Sequence, residues 1–165
     1  MKKLIYPYSQ KFSEIFKRKK EKISKHIKNV EIYHIGSTSV PYLGGKGMID
    51  IMIGIKKWEE LENAVNKLKL IGFNHVHLKE KGRVFLSRIG STKKGDTHIH
   101  IVIVGGRPYK ELLLFRNYLR KNKKEADRYF RLKQEWATKT NEDRIKYGKL
   151  KSKYIKEILI KAKQK

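Results

Sequence analysis

Apolar side chains recur along the chain at two different periods, and the changes of period mark its elements. Over residues 9–28, Phe12, Ile15, Phe16, Ile23 and Ile27 share one helical face with Lys17-Arg18-Lys19-Lys20 between them, which predicts an amphipathic helix with Ser9 as its N-cap. Val30 to Ile35 and Met48 to Ile55 are instead short, β-rich and nearly continuous, as strands buried in a core are. Trp58, Leu61, Ala64, Val65 and Leu68 return to spacings of three and four, predicting a helix over 57–70 that stops before Gly72. Further strands are expected over 73–77, 83–89 and 97–104, with turns at Gly82 and at 90–95.

After Gly105-Gly106-Arg107-Pro108 the pattern is helical to the end. Leu112, Leu113, Phe115 and Leu119 define one helix, and Ala126, Tyr129, Phe130, Trp136 and Ala137 a second. A third, over 142–162, carries Tyr147, Tyr154, Ile155, Ile158 and Leu159 on its stripe. The order helix, two strands, helix, three strands, three helices predicts an α+β (α/β) fold: one mixed β-sheet flanked by helices, with a helical C-terminal third. No linker, repeat or low-complexity segment divides it. Residues 1–165 therefore read as one domain, an αβ core over 1–106 with the helices of 107–165 packed on it.

Composition narrows the chemistry. The chain has no cysteine, which excludes disulfides, thiolate metal sites and cysteine nucleophiles. The first residues lack the apolar stretch of a signal peptide, and no apolar run approaches membrane-spanning length, so a cytoplasmic protein with no membrane partner is expected. The formal charge of +25 is concentrated in the two end regions and is carried mainly by lysine. Such a surface is either generally solvated or binds RNA or another polyanion.

The densest chemistry lies in His34-Ile-Gly-Ser-Thr-Ser-Val-Pro41 and Met48-Ile-Asp50. A Gly-Ser step after a strand presents N–H groups and hydroxyls to phosphate oxygens, and an aspartate on the next strand offers a hard oxygen ligand to a divalent ion. The alternative reading of Gly-Ser-Thr is a plain turn. The segment is not a P-loop, because no GK[ST] ending follows.

These residues resemble the GrpB (UPF0157) family, which has the nucleotidyltransferase-type fold. The resemblance is carried by His34 to Pro41, Leu43, Lys46 and Ile49-Asp50-Ile51, then by His98-Ile-His100, Phe115-Arg-Asn-Tyr-Leu-Arg120, Ala126, Tyr129, Lys133, Tyr147, Lys151 and Tyr154-Ile155. It implies that Gly36 and Ser37, with Thr38, bind phosphate, and that Asp50 is the first carboxylate of a metal-binding pair. The second carboxylate of such pairs lies two residues on, on the same strand face; here it is Met52, a loss the family shares. The third is replaced by His98 and His100. A mixed site of Asp50, His98, His100 and His34 is the candidate metal centre, for Mg²⁺ or, with imidazole ligands, Mn²⁺ or Zn²⁺. Glu31, Glu80 and Asp96 are the carboxylates that could compensate.

The implied function is binding of a nucleoside triphosphate and transfer of its nucleotidyl group, with Asp50 and His100 as the catalytic residues. Lys46, Arg116 and Arg120 would neutralise the phosphates. Two alternatives stand beside it. One is a nucleotide- or polyanion-binding module without transfer chemistry. The other is an RNA-binding protein that uses its basic helices with Tyr118, Tyr129, Tyr147 and Tyr154. Tyr42 and Gly47 replace glycine and proline of the family pattern; Tyr42 is expected to pack on a neighbouring loop, and Gly47 to loosen its own. Outside any motif, His26, His75 and His77 read as ordinary core or surface histidines.

Overall fold

In the computed structural model, which describes residues 5–80, 82–88, 96–141 and 143–164, the two periods become two kinds of layer. Strands β1 (Glu31–Ile35), β2 (Ile49–Ile55), β3 (His75–Glu80), β4 (Arg83–Ser87) and β5 (Thr97–Ile103) form one sheet in the order β1-β2-β5-β4-β3. β2 and β5 run parallel at its centre and every other pair is antiparallel, so the sheet is mixed.

One face is covered by α1 (Lys11–His26) and α2 (Leu61–Leu70). Ile49, Ile51, Ile53, Ile99 and Ile101 meet Phe12 and Ile23 of α1 and Leu68 of α2 there, all buried. Each such side chain contributes about 1.5–3 kcal/mol through the apolar surface it removes from water. Alternate residues of the same strands point to the opposite face, where α3 (Arg107–Lys121) packs on β1 and β5. Next to α3 stand α4 (Lys123–Lys139) and α5 (Arg144–Lys163), which share a core of Leu119, Ala126, Tyr129, Tyr154 and Ile158. Asp143 caps α5, its carboxylate accepting from the N–H groups of Ile145 and Lys146 at 2.9 and 3.0 Å.

The expected elements are present, with shifted ends. Ser9 accepts a hydrogen bond from the Lys11 N–H at 3.3 Å, so it serves the start of α1 from just outside the helix. β3 begins two residues later than the apolar pattern suggests. Phe73 is buried and its N–H bonds to the Leu68 carbonyl, so it closes α2 before the strand starts. The turn expected over 90–95 lies outside the described residues. Gly47 has φ 75°, a conformation proline cannot adopt, so its part in the loop is a required backbone shape as well as added freedom. Tyr42 is 74% exposed with its ring 6.1 Å from that of Tyr8, so the expected packing amounts to one tilted ring contact.

Candidate functional site

The loop between β1 and β2 is fixed from both sides, and this positions the site. Gly36 has φ 70°, and a Cβ there would overlap the Asp50 Oδ2, so only glycine lets the chain pass this close to the carboxylate. Ser37–Ser39 then form one 3₁₀ turn. Val40 and Leu43 are buried in the core of the C-terminal helices, which draws the loop against α4 and α5. Three cations complete the anchorage by donating to carbonyls at the end of β1 and in the loop: Arg116 to His34 at 3.0 Å, Arg120 twice to Ser39 at 3.0 and 2.6 Å, and Lys133 to Gly44 at 2.8 Å.

This corrects several expectations from sequence. Arg116 and Arg120 hold the back of the loop and do not line the cleft described below. Thr38 is buried and its hydroxyl donates to the Met48 carbonyl at 2.9 Å. Having one proton, that hydroxyl accepts from His34 Nε2 at 3.0 Å. The His34 ring stacks on Phe16 of α1 at 4.7 Å, on the opposite sheet face from Asp50, and burial pushes its pKa down to about 4. His34 and Thr38 are thus a structural pair. Tyr129, Tyr147 and Tyr154 are buried, so they offer no rings to RNA on the helical surface.

Gly36, Ser37, Lys46, Asp50, His98 and His100 do converge, on a cleft of about 1100 Å³ between the sheet and the C-terminal helices. Asp50 lies beside His98 on the neighbouring strand, as the register dictates. His98 Nδ1 is 3.2 Å and His100 Nε2 3.6 Å from Asp50 Oδ1. Burial alone would raise the Asp50 pKa; the N–H groups of His100 and His98 outweigh it and hold the carboxyl well below the usual range. On its far side His100 accepts at Nδ1 from Arg83 Nη2, at 3.0 Å. A guanidinium only donates, so neutral His100 carries its proton on Nε2, facing Asp50. Burial lowers the His100 pKa and keeps the ring neutral. Among the described residues the buried Arg83 Nε has no hydrogen-bond partner.

The roof of the cleft is cationic. Lys46 sits over the Tyr147 ring at 4.2 Å, and burial followed by Lys151 and Arg144 lowers its pKa. Lys133 is only 2% exposed, lies over the Tyr129 ring at 4.2 Å, and is pushed well below its ordinary value by burial and then by Lys151. A Cβ on Gly45 would lie 3.2 Å from Lys133 Nζ and against the Ser37 hydroxyl, so that lysine and serine meet at the loop. Among the described residues no carboxylate is within ion-pair reach of Lys46, Lys133, Arg144 or Lys151, whereas Arg107 is paired with Glu111 at 2.9 Å. The site assignment read from sequence omits Lys133, Lys151, Arg144 and Arg83. For Lys133 a signal existed, since it occupies an apolar position in the stripe of Ala126, Tyr129 and Trp136.

The donor set fits a magnesium ion poorly. Among the described residues Asp50 is the one carboxylate beside the histidines; Met52, buried with Ile35 and Val102, occupies the next position on that face. Glu31 accepts from Tyr33 at 3.0 Å and from Tyr109, four register steps from Asp50, and Asp96 lies near Lys19 of α1. The Glu80 side chain lies outside what is described. Among the described residues no three His, Asp or Glu side chains are grouped to hold a metal ion. His100 has its lone pair committed to Arg83, so it cannot ligate while that bond stands.

A model of the GrpB protein family matches residues 4–161. A UPF0157 protein of Halalkalibacterium halodurans is 27% identical over 157 residues, covering 94% of this chain and 80% of its own length. The glutamate-rich protein GrpB of Alkalihalophilus pseudofirmus is 27% identical, with 94% and 93% covered. Among solved structures, the conserved protein GrpB from Enterococcus faecalis superposes with a TM-score of 0.84 at 30% identity, covering 96% of both chains. The Cid1 poly(U) polymerase superposes with a TM-score of 0.55 at 12% identity, over 80% of this chain and 43% of its own, a likeness of fold alone. The fold is thus nucleotidyltransferase-like, as the sequence implied. Among the described residues no helix is long and apolar enough to cross a membrane.

Proposed function

This chain belongs to the GrpB family, and from that premise we propose that it binds the phosphate chain of a nucleoside triphosphate in the cleft, using its own cations in place of a protein-held metal ion. The observation that carries this reading is the roof of Lys46, Lys133, Arg144 and Lys151, without carboxylate partners among the described residues and facing the Gly36-Ser37 turn. Burial and mutual repulsion hold Lys46 and Lys133 in an unfavourable state, which a bound polyanion would relieve. Ser37 adds a hydroxyl at the loop. Asp50, neutralised on one side by two imidazole N–H groups, repels such an anion less than a bare carboxylate would.

Thermal unfolding with added ligand tests this. ATP and tripolyphosphate are expected to raise Tm more than inorganic phosphate does, through binding to the folded state alone. The rise should vanish in Lys133→Met. No rise with any of the three would overturn the reading.

Nucleotidyl transfer is a second reading, favoured by the likeness to Cid1, a poly(U) polymerase solved with magnesium and GTP. Asp50 would hold the divalent ion, with His98 and, once released by Arg83, His100 as further ligands or base. Transfer of a labelled nucleotide to RNA in Mg²⁺, Mn²⁺ or Zn²⁺, absent in Asp50→Ala, would establish it.

A further inference from the structure

The chain contains two His-X-His pairs on the same sheet face, and their hydrogen bonds leave them in opposite states. In His98-Ile99-His100 both rings turn a nitrogen to Asp50, and Arg83 takes the remaining lone pair of His100. In His75-Val76-His77, on β3 at the sheet edge, both rings are exposed. Two residues along a strand rise about 6.6–6.8 Å. The centroids of His75 and His77 are nevertheless 4.0 Å apart, so the rings lean together. A register shift between Val76 and Leu78 re-aims the side chain that lies between them.

The partner of His77 settles which nitrogen is bare. Ser87 Oγ donates to the Arg88 carbonyl at 3.0 Å, and so accepts from His77 Nε2. His77 therefore carries its proton on Nε2, and Nδ1 keeps a free lone pair. Metal-ligating histidines are commonly held this way, with the second ring nitrogen donating to an oxygen. Phe85, 4.8 Å from the His77 ring, supports it from the cleft side.

We infer that His75 and His77 form a two-imidazole site for a borderline transition-metal ion, zinc or copper(II), at the edge of the sheet and separate from the Asp50 cleft. Imidazole suits these ions and not magnesium, and an exposed pair leaves the remaining coordination positions to water. The inference does not depend on what the cleft binds.

Calorimetric titration of metal-stripped protein with Zn²⁺ and with Cu²⁺ tests it. One ion per chain is expected, with affinity reduced at least tenfold in His75→Ala and in His77→Ala. Ser87→Ala is expected to weaken binding by a smaller factor, because it frees the His77 ring to rotate without removing a ligand. Asp50→Ala should leave the affinity unchanged, and excess Mg²⁺ should not compete. Circular dichroism and Tm confirm that the variants are folded. Affinity indifferent to His75→Ala and His77→Ala, or lost in Asp50→Ala, would overturn the inference. ATP-induced stabilisation should be equal in wild type and His77→Ala, so failure here and failure of the phosphate reading show as separate results.

Discussion

The two faces of the central strands are built from adjacent residues and do opposite work. On β2 and β5 the residues Ile49, Ile51, Ile53, Ile99 and Ile101 are completely buried against α1 and α2. Between them, Asp50, His98 and His100 turn to a cleft whose far wall sets Lys133, Arg144 and Lys151 among apolar and aromatic side chains such as Leu112, Phe115 and Tyr147. Parity along a strand decides which face a residue joins. The α1–α2 face is therefore mainly a source of stability, whereas the other combines an apolar patch of Ile35, Met52 and Val102 under α3 with the polar floor of the cleft.

Changes to the apolar face should have the largest effect on stability. Ile51→Ala is expected to cost about 2–5 kcal/mol in urea unfolding, the range for emptying a filled core position, whereas isosteric Asp50→Asn one residue away should cost clearly less. Equal losses would mean that the faces do not divide as described.

A second effect depends on pH. His34 has a folded pKa of about 4, below its ordinary 6.5, so the unfolded chain takes up the proton first. Its contribution is complete above pH 6.5, is lost as pH falls through that window, and is gone by about pH 4. The shift corresponds to about 3 kcal/mol at most. His100, also lowered by burial, adds a contribution of the same sign that is lost as pH falls below 6.5. Asp50 is depressed from 3.8, so its own contribution is lost only at lower pH. Unfolding free energies at pH 7 and 4.5 should therefore converge in His34→Gln relative to wild type; an unchanged difference would contradict the assignment.

Smaller still is Gly36→Ala, which puts a Cβ into the Asp50 carboxylate at φ 70°. A loss of about 1–3 kcal/mol is expected, visible as a lowered Tm. Lys133→Met should change stability least, because removing a buried, repelled cation offsets the lost bond to the Gly44 carbonyl. On the proposed reading its effect is on phosphate binding.

Much of this division was legible in the sequence. The isoleucine runs announce buried strands, and Asp50 stands out as the polar residue inside one. Gly36, Ser37, Lys46, Asp50, His98 and His100, singled out from the sequence, line one cleft. What stayed hidden is the difference between a charge that awaits a ligand and one already occupied. Arg116 and Arg120 look like phosphate ligands by type and spacing, yet the carbonyls of His34 at the end of β1 and of Ser39 in the following turn need donors, and they supply them. Lys133, in a lysine-rich helix, differs from its neighbours in sequence only by falling on the apolar stripe, and its burial shows what that position means. His75 and His77 carry no motif, and the proton position on His77 depends on Ser87, a residue ten positions away.

The central claim is that the cations of the cleft, and no protein-held metal, bind the phosphates. Isothermal titration with ATP, in EDTA and then in Mg²⁺, on wild type, Lys133→Met and Asp50→Ala, tests it most directly. Binding that persists in EDTA, survives Asp50→Ala and weakens at least tenfold in Lys133→Met is the predicted result. Binding seen only with Mg²⁺ and abolished by Asp50→Ala would contradict it.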